Sequence, residues 1–468
     1  MKTKSIPSRW LSETGRRLDP GPYLSGSIEA KELLKRLPIK NQPLRDLTKG
    51  HDGGIYNGPQ FSRNYVDSAE HGVPFLGSGS MLLADLSNLP FLRRRDAESA
   101  KLRYLKVEEG MTLISCSGTV GRMVFARTNM AGMWSSQDVM KVVPDPEKIP
   151  PGYLYAFLSS RFGLPLVTSG TYGAIIQHIE PEHIKDIGIP RLGGKREEEI
   201  HDLICRAATL LVAFNQGLKR ATAALTSELG IRDLGRESWL SGNNHLGWGQ
   251  RKLNAESIRA LNHDPRCEAL YRDLRRRRHD SLGDLCVPKY FKGKIIFRRI
   301  DADQDFGWRL VGQREAFRLR PEGRFIATWS VRDLGLRVPP WTVLVPSHGT
   351  LGEFELYCRA LLVTERTAQY AYSGDFFRCI PKPEKINGAY LFAFLRSETA
   401  FRLLRGISTG GKQQEQHPAM MYRLPIPRLE PSNESAIATC VEDAAAAFDL
   451  ALHLEERAWQ LLEEHFRC

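Results

Sequence analysis

Residues 406–413 contain the residue types that could bind a phosphate group. They read Gly-Ile-Ser-Thr-Gly-Gly-Lys-Gln, which is close to the loop in which backbone N–H groups and a lysine hold nucleotide phosphates. The lysine is not followed by the Ser or Thr that would bind Mg²⁺. The residues before the segment have a helical pattern, whereas such a loop follows a strand. These departures argue against a nucleotide-binding loop.

Other catalytic and metal-binding signatures are also missing from the sequence. Gly77 and Gly79 are followed by no third glycine at the spacing of a dinucleotide-binding loop. The 12 histidines include no HExxH spacing, and the eight cysteines include no CxxC pair. Asp145, between two prolines, has no nearby Glu-x-Lys to complete a nuclease metal site. We therefore predict a chain without catalytic residues, metal or cofactor, with an enzyme of unfamiliar site as the alternative.

Basic side chains are better candidates for binding. The 468 residues include 66 Lys and Arg against 54 Asp and Glu, and the net charge of +12 favours a polyanionic partner. Lys and Arg neutralise phosphates, while Arg, Asn and Gln read base edges. The candidates are Arg93, Arg94, Lys101, Arg103 and Arg122 in the first half, and Lys292, Lys294, Arg298, Arg299 and Arg309 in the second. His348 could contact a base edge. For His348 and for many of the basic residues, a solvated surface position is the alternative.

The two halves of the chain match each other when one is shifted by about 235 residues. Four segments recur in the same order: 72–77 as 307–312, 118–121 as 349–352, 153–158 as 390–395, and 189–192 as 426–429. The spacing exceeds that of solenoid repeats, so each copy is predicted to be a domain with its own core.

Each copy is predicted to combine short strands and helices with one long helix. Residues 111–115 and 122–126 are predicted strands around a glycine-bearing turn. Residues 197–229 contain no proline and have an apolar stripe at helical spacing, which predicts a helix of about 50 Å. Residues 430–468 carry a similar stripe, so we expect the two long helices to pair as an antiparallel coiled coil. A membrane-lying helix is the alternative, although the polar faces mix acidic and basic residues.

The predicted fold class is α+β, with two pseudo-repeated domains of mixed α/β structure, each followed by a long helix. The predicted boundaries are a helical extension (1–39), domain 1 (40–192), long helix 1 (193–232), a linker with short helices (233–280), domain 2 (281–429) and long helix 2 (430–468). No run approaches the roughly 18 apolar residues of a membrane span, and the start lacks the apolar part of a secretory signal. We therefore expect a cytoplasmic protein.

Several segments together carry a family resemblance. They are the turn at 113–122, the stretch 72–78, the ending 184–190 that a helix follows directly, and the polar loop 168–173 with its counterpart 408–412. In these features the chain resembles the specificity subunits of type I restriction–modification systems, whose tandem target-recognition domains alternate with long helices. The second copy departs from the pattern at Pro346-Ser347-His348, which suggests that the two domains read different sequences.

The resemblance implies a non-catalytic subunit that binds double-stranded DNA. Its two target-recognition domains would read the two halves of a split site, separated by an unread gap. Two DNA adenine methyltransferase subunits would be held against the long helices, with S-adenosylmethionine on those partners and not on this chain. The adenine would be methylated in the partner's pocket after base flipping. A nuclease or translocase subunit is a further possible partner, and no membrane is involved.

The resemblance also adds site residues. The turn and the polar loop supply the DNA-binding candidates Gly118, Thr119, Thr171, Tyr172, Gln177, Thr350, Lys412, Gln413 and Gln414. The partner-binding helices supply the apolar residues Ile200, Leu203, Leu210, Phe214, Val441, Phe448 and Leu452. Two other functions stay open. One is a self-contained DNA nuclease or methyltransferase with tandem recognition domains, and the other is a scaffold that binds only proteins.

Overall fold

The computed structural model describes residues 3–13, 21–169, 178–231, 233–241 and 256–466. The chain folds into two units of mixed α/β structure. Unit 1 comprises Met1–Val212 with Leu450–Cys468, and unit 2 comprises Ala213–Asp449. Each of the two long helices therefore contributes one part to unit 1 and the other part to unit 2.

Unit 1 has ten strands and seven short helices among its described residues, together with the first part of a long helix. The strands are β1 (Asn41–Pro43), β2 (Ile55–Tyr56), β3 (Tyr65–Val66), β4 (Gly72–Leu76), β5 (Phe91–Arg93), β6 (Thr112–Ser115), β7 (Met123–Phe125), β8 (Trp134–Ser135), β9 (Val139–Val142) and β10 (Gly188–Pro190). The helices are α1 (Ser8–Glu13), α2 (Gly21–Leu24), α3 (Ser27–Arg36), α4 (Arg94–Ala97), α5 (Pro151–Ser159), α6 (Gly163–Thr168), α7 (Pro181–Ile184) and the long α8 (Gly194–Glu228).

Two four-stranded sheets form the body of unit 1. One has the strand order β2-β9-β6-β7, and the other has the order β3-β5-β4-β8, in which β4 and β8 are parallel. Every residue of the central strand β9 is buried, because the strand has apolar neighbours on both faces. The main core joins this sheet to α3, α5 and residues of both long helices, such as Ile200 and Leu462.

Unit 2 repeats this pattern with additional short strands. Its strands are β11 (His279–Ser281), β12 (Gly307–Val311), β13 (Arg324–Ala327), β14 (Val343–Pro346), β15 (His348–Gly349), β16 (Leu361–Leu362), β17 (Ala371–Tyr372), β18 (Phe376–Cys379), β19 (Ser408–Gly410), β20 (Gln414–Gln416) and β21 (Pro425–Pro427). Its helices are α9 (Arg236–Ser241), α10 (Pro265–Arg275), α11 (Leu282–Leu285), α12 (Gln313–Ala316), α13 (Gly388–Leu395), α14 (Glu398–Gly406), α15 (Pro418–Tyr422) and the long α16 (Pro431–Phe466).

The strand pairings support the repeat found in the sequence. In unit 1 the first strand β1 pairs with the last strand β10, and in unit 2 β11 pairs with β21 in the same antiparallel way. The parallel pair β4–β8 corresponds to β12–β17, and the antiparallel pair β6–β9 corresponds to β14–β18. Tyr153 donates a hydrogen bond to the carbonyl of Pro190, and Tyr390 donates to that of Pro427.

The long helices follow the predicted positions closely. The first was predicted over 197–229 and spans Gly194–Glu228, and the second was predicted over 430–468 and spans Pro431–Phe466. The segment that resembles a phosphate-binding loop is part of a β-hairpin and not of a strand–loop–helix unit. Gly410 ends the first strand of this hairpin, and Lys412 lies in its turn. Among the described residues, no helix is long and apolar enough to cross a membrane.

Within unit 2 the two long helices run antiparallel. The rings of Phe214 and Phe448 lie 5.0 Å apart, and Asn433 donates a 2.6 Å hydrogen bond to Glu228. Between these contacts, a Cβ atom at Gly217 would lie 2.9 Å from the Cβ of Ala444. Successive contact residues have increasing residue numbers along α8 and decreasing residue numbers along α16, so the helices are antiparallel. Gly217 and Ala444, a small residue on each helix, permit the close approach. A coiled-coil geometry along the whole length stays a prediction.

Replacement of Gly217 by valine tests this close approach. Gly217→Val should lower the free energy of unfolding by about 2 kcal/mol, because the added side chain must displace the backbone of α16. Urea unfolding followed by circular dichroism measures the change. Gln216→Val, at an exposed position of the same helix, is the matched control and should stay within about 0.5 kcal/mol of the parent. Equal effects of the two variants would contradict the packing.

Candidate nucleic-acid interface

The glycine-bearing turn of unit 1 connects β6 to β7 and is braced by Ser115. Its Oγ accepts a 2.9 Å hydrogen bond from the backbone N–H of Arg122 and donates one to the carbonyl of Thr119. Gly118 has φ 71°, a left-handed conformation that glycine adopts without strain. Gly118 and Thr119 are exposed, and Arg122 is half-buried. The turn therefore presents Thr119 and its backbone to solvent on a fixed frame.

A short polar network holds the turn against the second sheet of unit 1. The backbone N–H of Cys116 donates to the carbonyl of Asp138 over 3.0 Å, and the Ser117 hydroxyl donates to the Asp138 carboxylate over 2.7 Å. Arg63 donates to the same carboxylate over 3.2 Å. Ser117 also forms a β-bridge with His178. The bridge thus joins the turn to a segment about 60 residues further along the chain. The candidates Thr171, Tyr172 and Gln177 themselves lie outside the described residues.

Unit 2 builds the corresponding region as a three-stranded sheet. Strand β15 pairs with β20, which pairs with β19, so His348 lies opposite Glu415 and Gly349 opposite Gln414. The hairpin between β19 and β20 exposes Lys412 and Gln413, and Thr350 is exposed next to β15. The structure therefore brings the turn and the polar loop of unit 2 together. Three of the predicted residues, Thr350, Lys412 and Gln413, are exposed in this region.

Two predicted DNA-binding residues of unit 2, His348 and Gln414, are buried within this sheet region and are not on the exposed surface. His348 is buried, with Nδ1 2.8 Å from the Ser347 hydroxyl and Nε2 3.0 Å from the Glu415 carboxylate. Gln414 is also buried, and its side-chain oxygen accepts a 2.6 Å hydrogen bond from Arg259. Contact of these two side chains with DNA stays an untested prediction, and both are covered by their neighbours in this structure. Hydrogen bonds hold His348 through Nδ1 and Gln414 through its side-chain amide, because an unpaired buried polar group is costly.

The basic candidates of unit 1 divide into paired and exposed residues. Arg93 holds Asp96 through two 2.9 Å hydrogen bonds, which lower the pKa of the Asp96 carboxyl. Arg94 donates to the carbonyl of Gly72 over 2.9 Å, although its side chain stays exposed. Lys101 and Arg103 are exposed, and neither forms an ion pair with any residue that the structure describes. Lys101 and Arg103 are therefore the freest cations of this group.

The basic candidates of unit 2 begin beside the turn. The carbonyl of Gly293 accepts a hydrogen bond from the Ser347 hydroxyl, so Lys292 and Lys294 flank the point where the turn is attached. Both lysines are exposed, as are Arg298 and Arg299 further along the chain. Arg309 is half-buried, with its guanidinium over the rings of Phe325 (5.2 Å) and Tyr370 (5.9 Å). Four of these five cations can therefore meet a phosphate without moving.

Each unit also has a fully buried cation that the sequence reading missed. Lys141 in β9 donates a 3.0 Å hydrogen bond to the carbonyl of Val139, and burial lowers the pKa of this amine to about 7. Arg378 in β18 donates to the carbonyl of Phe376 over 2.8 Å and to three further carbonyls, and burial lowers its pKa to about 10. Both residues count toward the formal net charge of +12, but neither side chain is accessible to DNA because both are buried.

Arg63, Asp138 and Arg259 are further residues of the interface that sequence reasoning did not single out. Arg63 could have been found from the repeat, because the offset of about 235 residues sets it opposite the predicted Arg298. Asp138 and Arg259 act through contacts between segments distant in sequence, and no local pattern marks them.

One group of side chains has the composition of a metal site. Potential ligand atoms of Glu198, His201 and Asp202, on one side of α8, lie within 4.8 Å of one another. The Nδ1 atom of His201 accepts a 2.9 Å hydrogen bond from the backbone N–H of Gly152. In a neutral imidazole this contact leaves the proton on Nε2, so neither nitrogen offers a free lone pair. The group is better described as the polar start of a helix than as a metal site.

The apolar residues predicted to bind partners pack inside the chain. Ile200 and Leu203 belong to the core of unit 1, and Val441 and Phe214 to that of unit 2. Phe448 and Leu452 are also buried, and Leu210 is half-buried. Contact of these side chains with a partner stays an untested prediction, and their burial leaves only other faces of the helices accessible.

Comparison with known proteins gives structural likenesses only. No family model and no curated protein matches the chain. The chain is similar to the S subunit of the type I restriction–modification system from M. genitalium, with 12% identity, 92% coverage of both chains and a TM-score of 0.28. It is also similar to the HsdS subunit from Thermoanaerobacter tengcongensis, with 12% identity, 92% coverage of this chain, 97% of that chain and a TM-score of 0.28.

A third solved structure comes from work on complex assembly and conformational transition of the type I R-M system. It shares 11% identity with the chain, with 92% coverage of this chain, 98% of that chain and a TM-score of 0.27. At these identities and TM-scores, the likeness assigns no role to any residue of the chain. The chain is thus similar to type I restriction–modification S subunits, and its own side chains must carry any functional argument.

Proposed function

We propose that this chain is the DNA sequence-recognition subunit of a restriction–modification or related phage-defence complex. Each unit would read one half of a bipartite DNA site. The observation that carries the proposal is the pairing, in unit 2, of the turn with the polar-loop segment, which are far apart in sequence. In unit 1 the turn residue Ser117 forms a bridge with His178, which is also distant in sequence. In unit 2 the pairing exposes Lys412, Gln413 and Thr350 at the surface, with Lys292 and Lys294 attached to its base.

The shape and chemistry of the unit 2 region suit a DNA groove. The major groove admits a two-stranded β-ribbon, and the tip of the β19–β20 hairpin extends past the last pair between β20 and β15. Gln413 has both a donor and acceptors with which to read a base edge, and Lys412 can donate to guanine. Lys292 and Lys294 can neutralise phosphates, which fixes the register of the ribbon without reading sequence. Specificity and affinity would thus come from different side chains.

The chemistry of such a complex would belong to its partners. We infer that DNA adenine methyltransferase subunits, two of them, bind this chain and carry S-adenosylmethionine. They would dock on the accessible faces of the long helices, where charged residues such as Glu198, Arg206 and Lys219 are exposed. A base flipped out of the duplex would then enter the partner's pocket, and this chain would act only by placing it. A nuclease or translocase subunit would join the same complex, and the complex would act in the cytoplasm.

Methylation mapping tests the proposal. We expect a split adenine-methylation motif, seen by long-read sequencing, in a host that expresses this chain together with a DNA adenine methyltransferase encoded beside it. The same methyltransferase expressed alone is the control and should leave the motif unmethylated. An active methyltransferase whose pattern does not change with this chain would favour a protein scaffold. DNA cleavage or methylation by this purified chain alone would favour a self-contained enzyme.

Substitution of the hairpin residues should alter one half of the motif only. Lys412→Ala combined with Gln413→Ala removes the donors at the exposed tip, so methylation should become relaxed at one or two positions of one half-site. Loss of one good bidentate contact costs about 1–3 kcal/mol of discrimination against the wrong base. Lys385→Ala, at another exposed lysine of unit 2, is the matched control and should leave the motif intact. Relaxation of both half-sites together would contradict separate reading by the two units.

The lysines at the base of the turn should act on affinity and not on sequence. Lys292→Ala with Lys294→Ala should weaken binding to all duplexes alike and lower the slope of log K against log[salt] by about 2, because each phosphate contact contributes about 0.9. Fluorescence anisotropy titrations at salt concentrations from about 50 to about 200 mM measure this slope. An unchanged slope would remove these lysines from the interface.

A further inference from the structure

One end of the sheet β13-β12-β17 in unit 2 carries large apolar side chains in solvent. Trp329 and Phe306 are each 74% exposed, and Ile296 is 82% exposed. In unit 1, the exposed large apolar side chains among the described residues reach only 43%, at Tyr65. Rings so far out of a core are unfavourable unless a ligand covers them, so this end of the sheet differs from ordinary surface.

The strand register places the two aromatic rings at the same end of the sheet. Gly307 of β12 pairs with Ala327 of β13, and the ladder runs from this pair toward Leu310 and Arg324. Phe306 directly precedes Gly307, and Trp329 follows Ala327 by two residues. Both therefore lie just beyond the closing pair of the ladder, in the short 3-10 turns Gln304–Phe306 and Thr328–Ser330.

Unpaired cations lie beside the same end. The backbone N–H of Ala327 donates a 2.8 Å hydrogen bond to the carbonyl of Ile300, which sets Arg298 and Arg299 next to the rings in the chain path. Both arginines are exposed, and neither forms an ion pair within the described part of the chain. The guanidinium of Arg299 lies 5.9 Å from the centre of the Phe297 ring. An aromatic surface bordered by exposed guanidinium groups suits a polyanion with flat rings better than an apolar protein surface.

A cationic stripe connects these rings to the turn of unit 2. Between Lys292 and Arg298 the exposed side chains alternate with covered ones, and Ile295 is buried in the core. In extended backbone, at about 3.3 Å per residue, the six steps span about 20 Å. At about 3.4 Å per base pair, this length corresponds to about six base pairs of duplex. Arg298 could therefore contact a phosphate up to about six base pairs away from one held by Lys292.

Unit 1 has polar residues at the equivalent positions. Its corresponding ladder closes with the pair Gly72 and Arg93, so His71 stands in the place of Phe306 and Arg95 in the place of Trp329. His71 and Arg95 are both exposed. The two units therefore share this strand pairing but differ in two side chains. Unit 1 has the polar pair His71 and Arg95 where unit 2 has the aromatic pair Phe306 and Trp329.

We propose that Trp329 and Phe306 form an aromatic wedge that stacks on a base step of the DNA beside the half-site of unit 2. Arg298 and Arg299 would hold the adjoining phosphates, while unit 1 would contact its DNA at the equivalent place through His71 and Arg95. A wedge of this kind unstacks a base step and bends the duplex, so it favours easily deformed pyrimidine–purine steps. Unit 2 would then discriminate sequence at a position that its hairpin does not reach. The inference rests on the proposed function of DNA binding.

The test uses the full chain in complex with the methyltransferase encoded beside it. Duplexes that contain the methylated motif carry 2-aminopurine at successive positions flanking each half-site. We expect fluorescence to rise on binding at one step beside the unit 2 half-site, because unstacked 2-aminopurine is less quenched. Trp329→Ala should abolish the rise and weaken binding about tenfold, whereas Trp329→Phe should retain most of both, since stacking needs only an aromatic face.

Arg95→Ala in unit 1 is the matched control at the equivalent position. It should lower the salt slope by about 1 and leave the 2-aminopurine signal unchanged. Unchanged affinity and signal in Trp329→Ala, with the parent complex still binding the motif, would overturn the wedge alone. Failure of the parent complex to bind any duplex would overturn the proposed function and the wedge with it. Loss of methyltransferase from the Trp329→Ala complex, with DNA binding intact, would show a protein-docking surface instead.

Discussion

In each unit one arginine joins the first strand, the last strand and the first turn of a long helix. Arg191 binds the Glu197 carboxylate through two hydrogen bonds of 3.0 and 2.7 Å and also reaches Gln42. Arg428 makes the same contacts, with Glu434 at 2.8 and 2.9 Å and with Asp280 at 2.7 Å. The planar guanidinium has enough donors in a fixed fork to serve both partners at once. Each unit is thereby closed at the base of its helix.

Closure at the base leaves the loops of each domain free to differ. The network Ser117–Asp138–Arg63 braces the turn of unit 1, whereas His348, Glu415 and Gln414 brace that of unit 2. In both units a backbone N–H of the turn donates to the carbonyl of an equivalent aspartate, Asp138 or Asp375. The same frame can thus carry different exposed side chains in the two units.

The excess of positive charge has more than one use in this chain. Lys141 and Arg378 are buried within the sheets and hold backbone carbonyls. Other cations bind neighbouring carboxylates, as Arg93 binds Asp96. The cations left in solvent without an ion pair among the described residues include Lys101 and Arg103 in unit 1, and Lys292, Lys294, Arg298 and Lys412 in unit 2. The net charge of +12 therefore does not by itself tell which cations are free to bind a polyanion.

The sequence alone determined the repeat, the mixed α/β class and the two long helices, because hydrophobic periodicity and self-similarity are local signals. It also singled out the turn and the loop that the structure pairs in unit 2. Only the tertiary structure decided which polar residues are exposed. His348 and Gln414 turned inward because their partners, Glu415 and Arg259, come from distant segments. Trp329 and Phe306 turned outward because strand register, which no single segment encodes, sets them beyond the last pair of a ladder.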